Sequence, residues 1–138
     1  MRVWIYTRLS NDDDPERDSL QNQERICREF AAQRDDQIVG QSADDNISGM
    51  NFSRRGLSRL TAAVETGRVD SVLVKDLSRL GRHRTQTALF IDYLRERGVR
   101  VLSVTEGLDT FQEEDDLIIG VRGLMNDYYA RDIGKKIR

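Results

Sequence analysis

The chain has 138 residues, a mass of 15.9 kDa and a formal net charge of −2, which suits a single domain. Cys27 and His83 are its only cysteine and histidine, which excludes an intrachain disulfide, a multi-cysteine zinc site and a metal site built on a histidine pair. It has neither a run of about 18 apolar residues nor the pattern of a signal peptide. We therefore expect no membrane span, no metal site and a location in a reducing bacterial cytoplasm.

The positively charged residues are mostly arginine, with 19 arginines and 3 lysines. Arginine is the residue that binds phosphate oxygens through two parallel hydrogen bonds. A GC-rich genome would produce the same bias, so composition leaves both explanations open.

The predicted elements alternate between strands and helices along the chain. Strands are indicated by β-branched and aromatic residues, helices by apolar residues at helical spacing, and helix ends by glycine. The first half is predicted to contain a strand at 2–7, a polar loop at 11–18, a helix starting at Asp18 or Ser19, a short strand at 37–41 and a mobile loop at 42–54. The second half is predicted to contain a helix at 56–67, a strand at 71–74, a helix at 84–97, a strand at 99–104 and a long helix at 113–138.

This alternation predicts an α/β fold with a mostly parallel central sheet of four to five strands and helices on both faces. In such folds the functional site lies at the carboxyl ends of the strands. That rule directs attention to residues 7–11 and 75–82. We expect residues 1–112 to form this core and 113–138 to begin a long helix, cut from a longer protein.

Two of the predicted strands end in residues suited to phosphate chemistry. Arg8 and Ser10 are two apart, so we expect them to share a face of the first strand with Tyr6. Arg79 and Arg82 are three apart and would share one side of a helical turn. The sequence therefore predicts a hydroxyl and three guanidinium groups facing a common space.

Clustered arginines repel one another unless carboxylates or a bound anion neutralise them, and a phosphate does this well. A serine beside them could attack phosphorus, with the guanidinium groups stabilising the charged transition state. The GxxxxGK[ST] loop of nucleotide-binding proteins is absent, and no histidine neighbours Ser10 to act as its base. The alternative, non-catalytic interpretation is that Ser10 caps a turn and that the arginines are solvated.

Four motifs follow one another in a fixed order over most of the chain. They are Tyr6-Thr7-Arg8-Leu9-Ser10, Ser19-Leu20-Gln21-Asn22-Gln23, Ser48-Gly49 with Arg54-Arg55-Gly56-Leu57, and Asp76-Leu77-Ser78-Arg79-Leu80-Gly81-Arg82. Together they resemble the catalytic domain of serine recombinases, the resolvase and invertase family. The last motif and the ending Tyr128-Tyr129-Ala130-Arg131-Asp132-Ile133 look most similar to the large serine recombinases and transposases of mobile elements.

The resemblance implies a role for each matching residue. Ser10 would be the nucleophile that forms a 5′-phosphoserine bond and releases a 3′-hydroxyl. Arg8, Arg79 and Arg82 would bind the scissile phosphate, together with Arg54 from the mobile loop. Gln23 would support the site, and Arg131 would lie near it. The resemblance implies no metal, nucleotide or other cofactor.

The sequence departs from the small resolvases at two positions. Ser78 stands where they usually have Asp, and Ala130 where they usually have Glu. Asp76 and the carboxylates at 12–14 are the candidates to pair with the arginines instead.

The predicted C-terminal helix carries two apolar stripes, although one domain can bury only one of them. The stripes are Leu117, Val121, Leu124 and Tyr128, and Ile118, Met125, Tyr129 and Ile133. As the family implies, we expect a homodimer that assembles into a homotetramer on double-stranded DNA. Four basic residues could run along DNA phosphates, namely Arg131, Lys135, Lys136 and Arg138.

A second function remains open, that of a non-catalytic signalling or dimerisation module of receiver type. It would place the acidic residues 12–14 around Mg²⁺ near Lys75 and Asp76. The recombinase hypothesis instead requires the serine and the arginines around one pocket.

Overall fold

A computed structural model describes residues 1–46, 54–81 and 83–111. The strands are β1 (Arg2–Leu9), β2 (Gln37–Asp45), β3 (Ser71–Val74), β4 (Arg100–Ser103) and β5 (Leu108–Asp109). The helices are α1 (Leu20–Gln33), α2 (Arg55–Glu65) and α3 (Arg84–Glu96), with a 3₁₀ turn at Leu77–Arg79 between β3 and α3.

The strands form one sheet in the order β2-β1-β3-β4-β5. The first four are parallel, as predicted, and β5 pairs antiparallel with β4. The sequence did not place β5, because a strand of two residues is too short to show a period of two.

Helices cover both faces of the sheet, which confirms that prediction. On one face Trp4 and Tyr6 of β1 pack with α2 and α3 through residues such as Leu60 and Ile91. On the other face Val3 and Ile5 pack with Cys27 of α1 and other residues of that helix. Because alternate residues of β1 enter two separate clusters, nearly the whole strand is buried.

The helix ends agree closely with their sequence signals. Ser19 is the N-cap of α1, and its hydroxyl accepts a hydrogen bond from the Asn22 amide at 3.1 Å. Gly67 and Gly98 follow α2 and α3 with φ of 73° and 72°, which a side chain would disfavour.

The predicted loop at 42–54 is wrong in its first part, because β2 continues to Asp45. Ser42 and Asp44 are buried, and both have hydrogen-bond partners on β1 and α2. Polar residues can thus extend a strand when neighbours satisfy them. Residues 47–53, Arg82 and the predicted helix at 113–138 lie outside the described residues.

No helix in the described ranges is long and apolar enough to span a membrane.

Candidate active site

The carboxyl end of β1 is locked to the turn that follows β3 by Arg8. This side chain is 6% exposed, and its guanidinium donates to the carbonyl oxygens of Ser78 and, at 3.3 Å, Gly81. Its Nε is buried and has no hydrogen-bond partner among the described residues. Burial lowers the pKa of Arg8, and the charges of Arg54 and Arg79 lower it further. Arginine stays charged in proteins, so Arg8 is a buried cation at the end of β1.

Arg79 lies on the 3₁₀ turn and is 3% exposed. Its Nη1 donates to the Arg8 carbonyl oxygen at 2.9 Å and to Asp13 Oδ2 at 2.6 Å. Its Nη2 donates to Asp76 Oδ2 at 3.2 Å and lies 3.7 Å from Asp18 Oδ1. Of the carboxylates that the sequence offered as partners for the arginines, Asp76 and one of the cluster at 12–14, Asp13, therefore contact Arg79.

Ser10 is half-buried and comes directly after β1. Its amide and its hydroxyl both donate to Asp13 Oδ2, at 2.8 Å and 3.2 Å. Ser10 and Arg79, which are far apart in sequence, therefore meet at one carboxylate oxygen. Strand alternation does not place Ser10, since β1 ends at Leu9 and Asp13 holds the serine in a turn.

Gln23 of α1 continues the hydrogen-bond ladder of β1 with its side chain. The fully buried amide donates to the carbonyl oxygens of Arg8 at 2.9 Å and Asp18 at 2.7 Å. Its Oε1 accepts from the Arg8 amide at 3.2 Å. Gln23 therefore fixes the backbone that carries Arg8, which is a positioning role.

Arg54 immediately precedes α2 and donates to the Leu80 carbonyl oxygen at 3.4 Å. The start of α2 is held by Asp44, whose carboxylate accepts from the amides of Gly56 at 2.8 Å and Leu57 at 3.0 Å. Tyr6 adds a hydrogen bond to the same carboxylate at 2.7 Å. Sequence reasoning missed Asp44, because it placed residues 42–54 in a loop, where an aspartate gives no signal of burial.

Lys75 is a second residue whose contact the sequence did not predict, since only the receiver hypothesis gave it a place, near a metal ion. At the end of β3 it is buried and forms an ion pair with Asp18. The hydrogen bond from Lys75 lowers the pKa of Asp18. This pair fastens the loop that carries Asp13 to the centre of the sheet.

The acidic loop does not have the arrangement that the receiver hypothesis requires. Asp13 contacts Ser10 and Arg79, while Asp14 accepts hydrogen bonds from the amides of Glu16 and Arg17. Within residues 1–46, 54–81 and 83–111, no group of three or more acidic, histidine or cysteine residues is placed to hold a metal ion.

The contacts thus bring the Ser10 hydroxyl and the Arg79 guanidinium together at Asp13, while the guanidinium groups of Arg8 and Arg54 donate to backbone carbonyl oxygens of residues 78–81. Such a site can hold an anion and present a hydroxyl to it. The remaining predicted site residues, Arg82, Arg131, Lys135, Lys136 and Arg138, lie outside the described residues.

Comparison with known proteins supports the family that the sequence motifs resemble. The family model for "Resolvase, N terminal domain" matches residues 3–138. The Tn3 transposon resolvase of Escherichia coli is 30% identical over 121 residues, 88% of this chain and 60% of that protein. The serine recombinase Gin of Escherichia phage Mu is 36% identical over 67 residues, 49% of this chain and 34% of that protein. The matches therefore span 34% to 60% of the length of these relatives, less than two thirds.

The fold is similar to solved structures as well. The N-terminal catalytic domain of the TP901-1 integrase matches with a TM-score of 0.77 and 25% identity. The match covers 95% of this chain and 98% of that structure.

Proposed function

We propose, from the premise that the chain belongs to the resolvase N-terminal domain family of serine recombinases, that it is the catalytic domain of a site-specific DNA recombinase. Ser10 is the nucleophile in this proposal, and double-stranded DNA is the substrate. The observation that carries it is the meeting of Ser10 and Arg79 at one carboxylate oxygen, next to the Arg8 carbonyl oxygen that Arg79 also contacts.

In the proposed reaction Ser10 Oγ attacks a DNA phosphorus atom. An Oγ–phosphorus bond forms, the bond from phosphorus to the 3′-oxygen breaks, and a 3′-hydroxyl is released. The phosphoserine keeps the energy of the broken bond, so the 3′-hydroxyl of a partner strand can reverse the step without a nucleotide cofactor. Covalent catalysis divides strand exchange in this way into two balanced steps.

The arginines have separate tasks in this proposal. Arg79 shares the acceptor Asp13 with Ser10 and stabilises charge on the phosphate in the transition state. Arg8 and Arg54 supply the surrounding positive field, and Arg82 joins them as the family resemblance implies. Gln23 keeps the Arg8 backbone in place.

The proposal extends to assembly on DNA. Two domains would pair through the apolar stripes of residues 117–133, and two such dimers would form the tetramer that exchanges strands. Arg131, Lys135, Lys136 and Arg138 would contact phosphates, which makes this part of binding steeply salt-dependent.

The test is to map covalent protein–DNA adducts in cells that express the full-length protein. Protein is isolated under denaturing conditions and the attached DNA ends are sequenced, which also identifies the recombination site. We expect protein on 5′ ends at defined sites, no adduct for Ser10→Ala, and normal adducts for Ser58→Ala, which changes an exposed serine of α2. Adducts that persist in Ser10→Ala would contradict the proposal.

A further inference from the structure

The proposed nucleophile lies beside a carboxylate that has no assigned role in the proposed cleavage and rejoining steps. Among the described residues, Asp13 is the only side chain that hydrogen-bonds Ser10 Oγ. The same carboxylate oxygen accepts from the Ser10 amide and from Arg79 Nη1. Three donors therefore converge on one atom, and one of them is the hydroxyl that must lose its proton.

The fixed position of Asp13 favours this oxygen as a proton acceptor. The Arg79 guanidinium donates to this carboxylate at 2.6 Å, and the loop that carries Asp13 is tied to the end of β3 by the ion pair of Lys75 with Asp18. A proton acceptor must lie within hydrogen-bond reach of the proton it takes, and the 3.2 Å contact meets that condition. Carboxylates act in this way in phosphoryl transfer, where an aspartate of protein kinases accepts the proton of the attacking hydroxyl.

We propose that Asp13 is the general base of the cleavage step, an inference that rests on the proposed recombinase function. As the Ser10 Oγ–phosphorus bond forms, the hydroxyl proton passes to Asp13 Oδ2. The bond to the 3′-oxygen breaks, that oxygen takes a proton from water, and Asp13 then returns its proton to water. In the rejoining step the same transfers occur in reverse order, and protonated Asp13 gives its proton to Ser10 Oγ.

The simplest competing explanation is that Asp13 only closes the turn after β1. Its amide donates to the Ser10 carbonyl oxygen at 3.1 Å, as turn residues do. A second explanation is that its carboxylate occupies a place that the DNA phosphate takes over. Both explanations predict effects of Asp13 variants that differ from those expected for a general base. Such variants therefore distinguish the three cases.

The experiment measures single-turnover formation of the covalent adduct by the full-length protein on a duplex that carries the mapped site. If Asp13 is the general base, Asp13→Asn and Asp13→Ala should slow cleavage by roughly 10²- to 10⁴-fold and leave the DNA affinity unchanged. Asp12→Ala is the matched control, because Asp12 is an exposed carboxylate one residue away. It should cleave at the normal rate.

Chemical rescue separates proton transfer from turn geometry. Formate or acetate should restore part of the cleavage rate of Asp13→Ala, where the side chain leaves space, whereas chloride at equal ionic strength should not. Loss without carboxylate rescue would mean that Asp13 acts only through the turn and would overturn the proposal. Cleavage by Asp13→Asn at or above the normal rate would overturn it equally, in favour of a carboxylate that the phosphate displaces.

A modified duplex tests which oxygen exchanges a proton with Asp13. With sulfur in place of the bridging 3′-oxygen, the leaving group departs without protonation. The slow cleavage by Asp13→Asn should persist on this duplex, and its disappearance would make Asp13 the acid for the leaving group instead. If the unaltered protein formed no adduct, the proposed function itself would fail, which is distinct from all these outcomes.

Discussion

Arg79 is the residue on which the charged contacts of the site converge, since it bridges Asp13, Asp76 and the Arg8 backbone. We expect Arg79→Lys to slow cleavage by roughly 10²- to 10³-fold, because an ammonium cannot reproduce the planar fork that holds several acceptors at once. DNA affinity should change little, since one phosphate contact among many is altered. Arg25→Lys, on the exposed face of α1, is the control. Equal losses in cleavage rate and in DNA affinity would mean that Arg79 only contacts DNA, which would contradict a role in the transition state.

At this scale the sequence predicted the meeting of Ser10 and Arg79, because both follow parallel strands whose ends share one edge of the sheet. It could not choose between Asp76 and the carboxylates at 12–14, since acidic residues in a loop look alike whether solvated or paired. The contacts show that Asp13 and Asp76 both pair with Arg79. Lys75 was considered only for a metal site, and its ion pair with Asp18 spans too much sequence for any local pattern to reveal.

The junction of β2 with α2 is the element that places Arg54. A Cβ on Gly56 would lie 2.7 Å from the Ala43 carbonyl oxygen, which real side chains do not tolerate. We expect Gly56→Ala to lower the free energy of unfolding by about 1–3 kcal/mol, as overpacking does, and to slow cleavage by shifting Arg54. Urea denaturation and the adduct assay measure the two effects. Ser58→Ala, one turn into the same helix, should change neither, and a Gly56→Ala protein of normal stability would contradict this packing.

The start of the sheet offers a pH-dependent test. Asp70 accepts hydrogen bonds from the Arg2 side chain and backbone, and these contacts lower the pKa of Asp70 to about 2. A lowered carboxyl pKa contributes stability above its unfolded value of about 3.9 and loses it as the pH falls towards the folded value. Asp70→Asn should therefore lower Tm by a few degrees at pH 7, with the difference closing between about pH 4 and pH 2. The effect is small because water screens this exposed pair. A difference in Tm that is the same at pH 7 and pH 2 would contradict it.

For the molecule as a whole, the alternation of strands and helices was enough to predict the parallel sheet and its two helical layers. It was not enough for β5, whose two residues carry no pattern. The extension of β2 was missed for a different reason. Ser42 and Asp44 have the polar character of loop residues, and they suit a strand here because side chains of β1 and the backbone at the start of α2 satisfy their hydrogen bonds.

Assembly is also a property of the whole molecule, and we predict that it depends on residues 117–133. Replacing Val121 and Met125 together by charged residues should shift a self-associating protein to monomer in analytical ultracentrifugation, because both belong to the predicted apolar stripes. Leu89→Glu is the control, since Leu89 of α3 is apolar and 54% exposed. Dissociation by Leu89→Glu alone would place the interface on α3 instead.

The most direct test of the central claim is to identify the amino acid that carries the DNA. The trapped adduct is digested with nuclease and trypsin, and the peptides are analysed by mass spectrometry. Trypsin cuts after Arg8 and Arg17, which leaves a peptide of residues 9–17 whose single hydroxyl belongs to Ser10. We predict that a nucleotide phosphate is attached to this peptide and that fragmentation locates it on Ser10. A nucleotide on any other residue, or on no peptide of a protein that does cleave DNA, would contradict the proposed function.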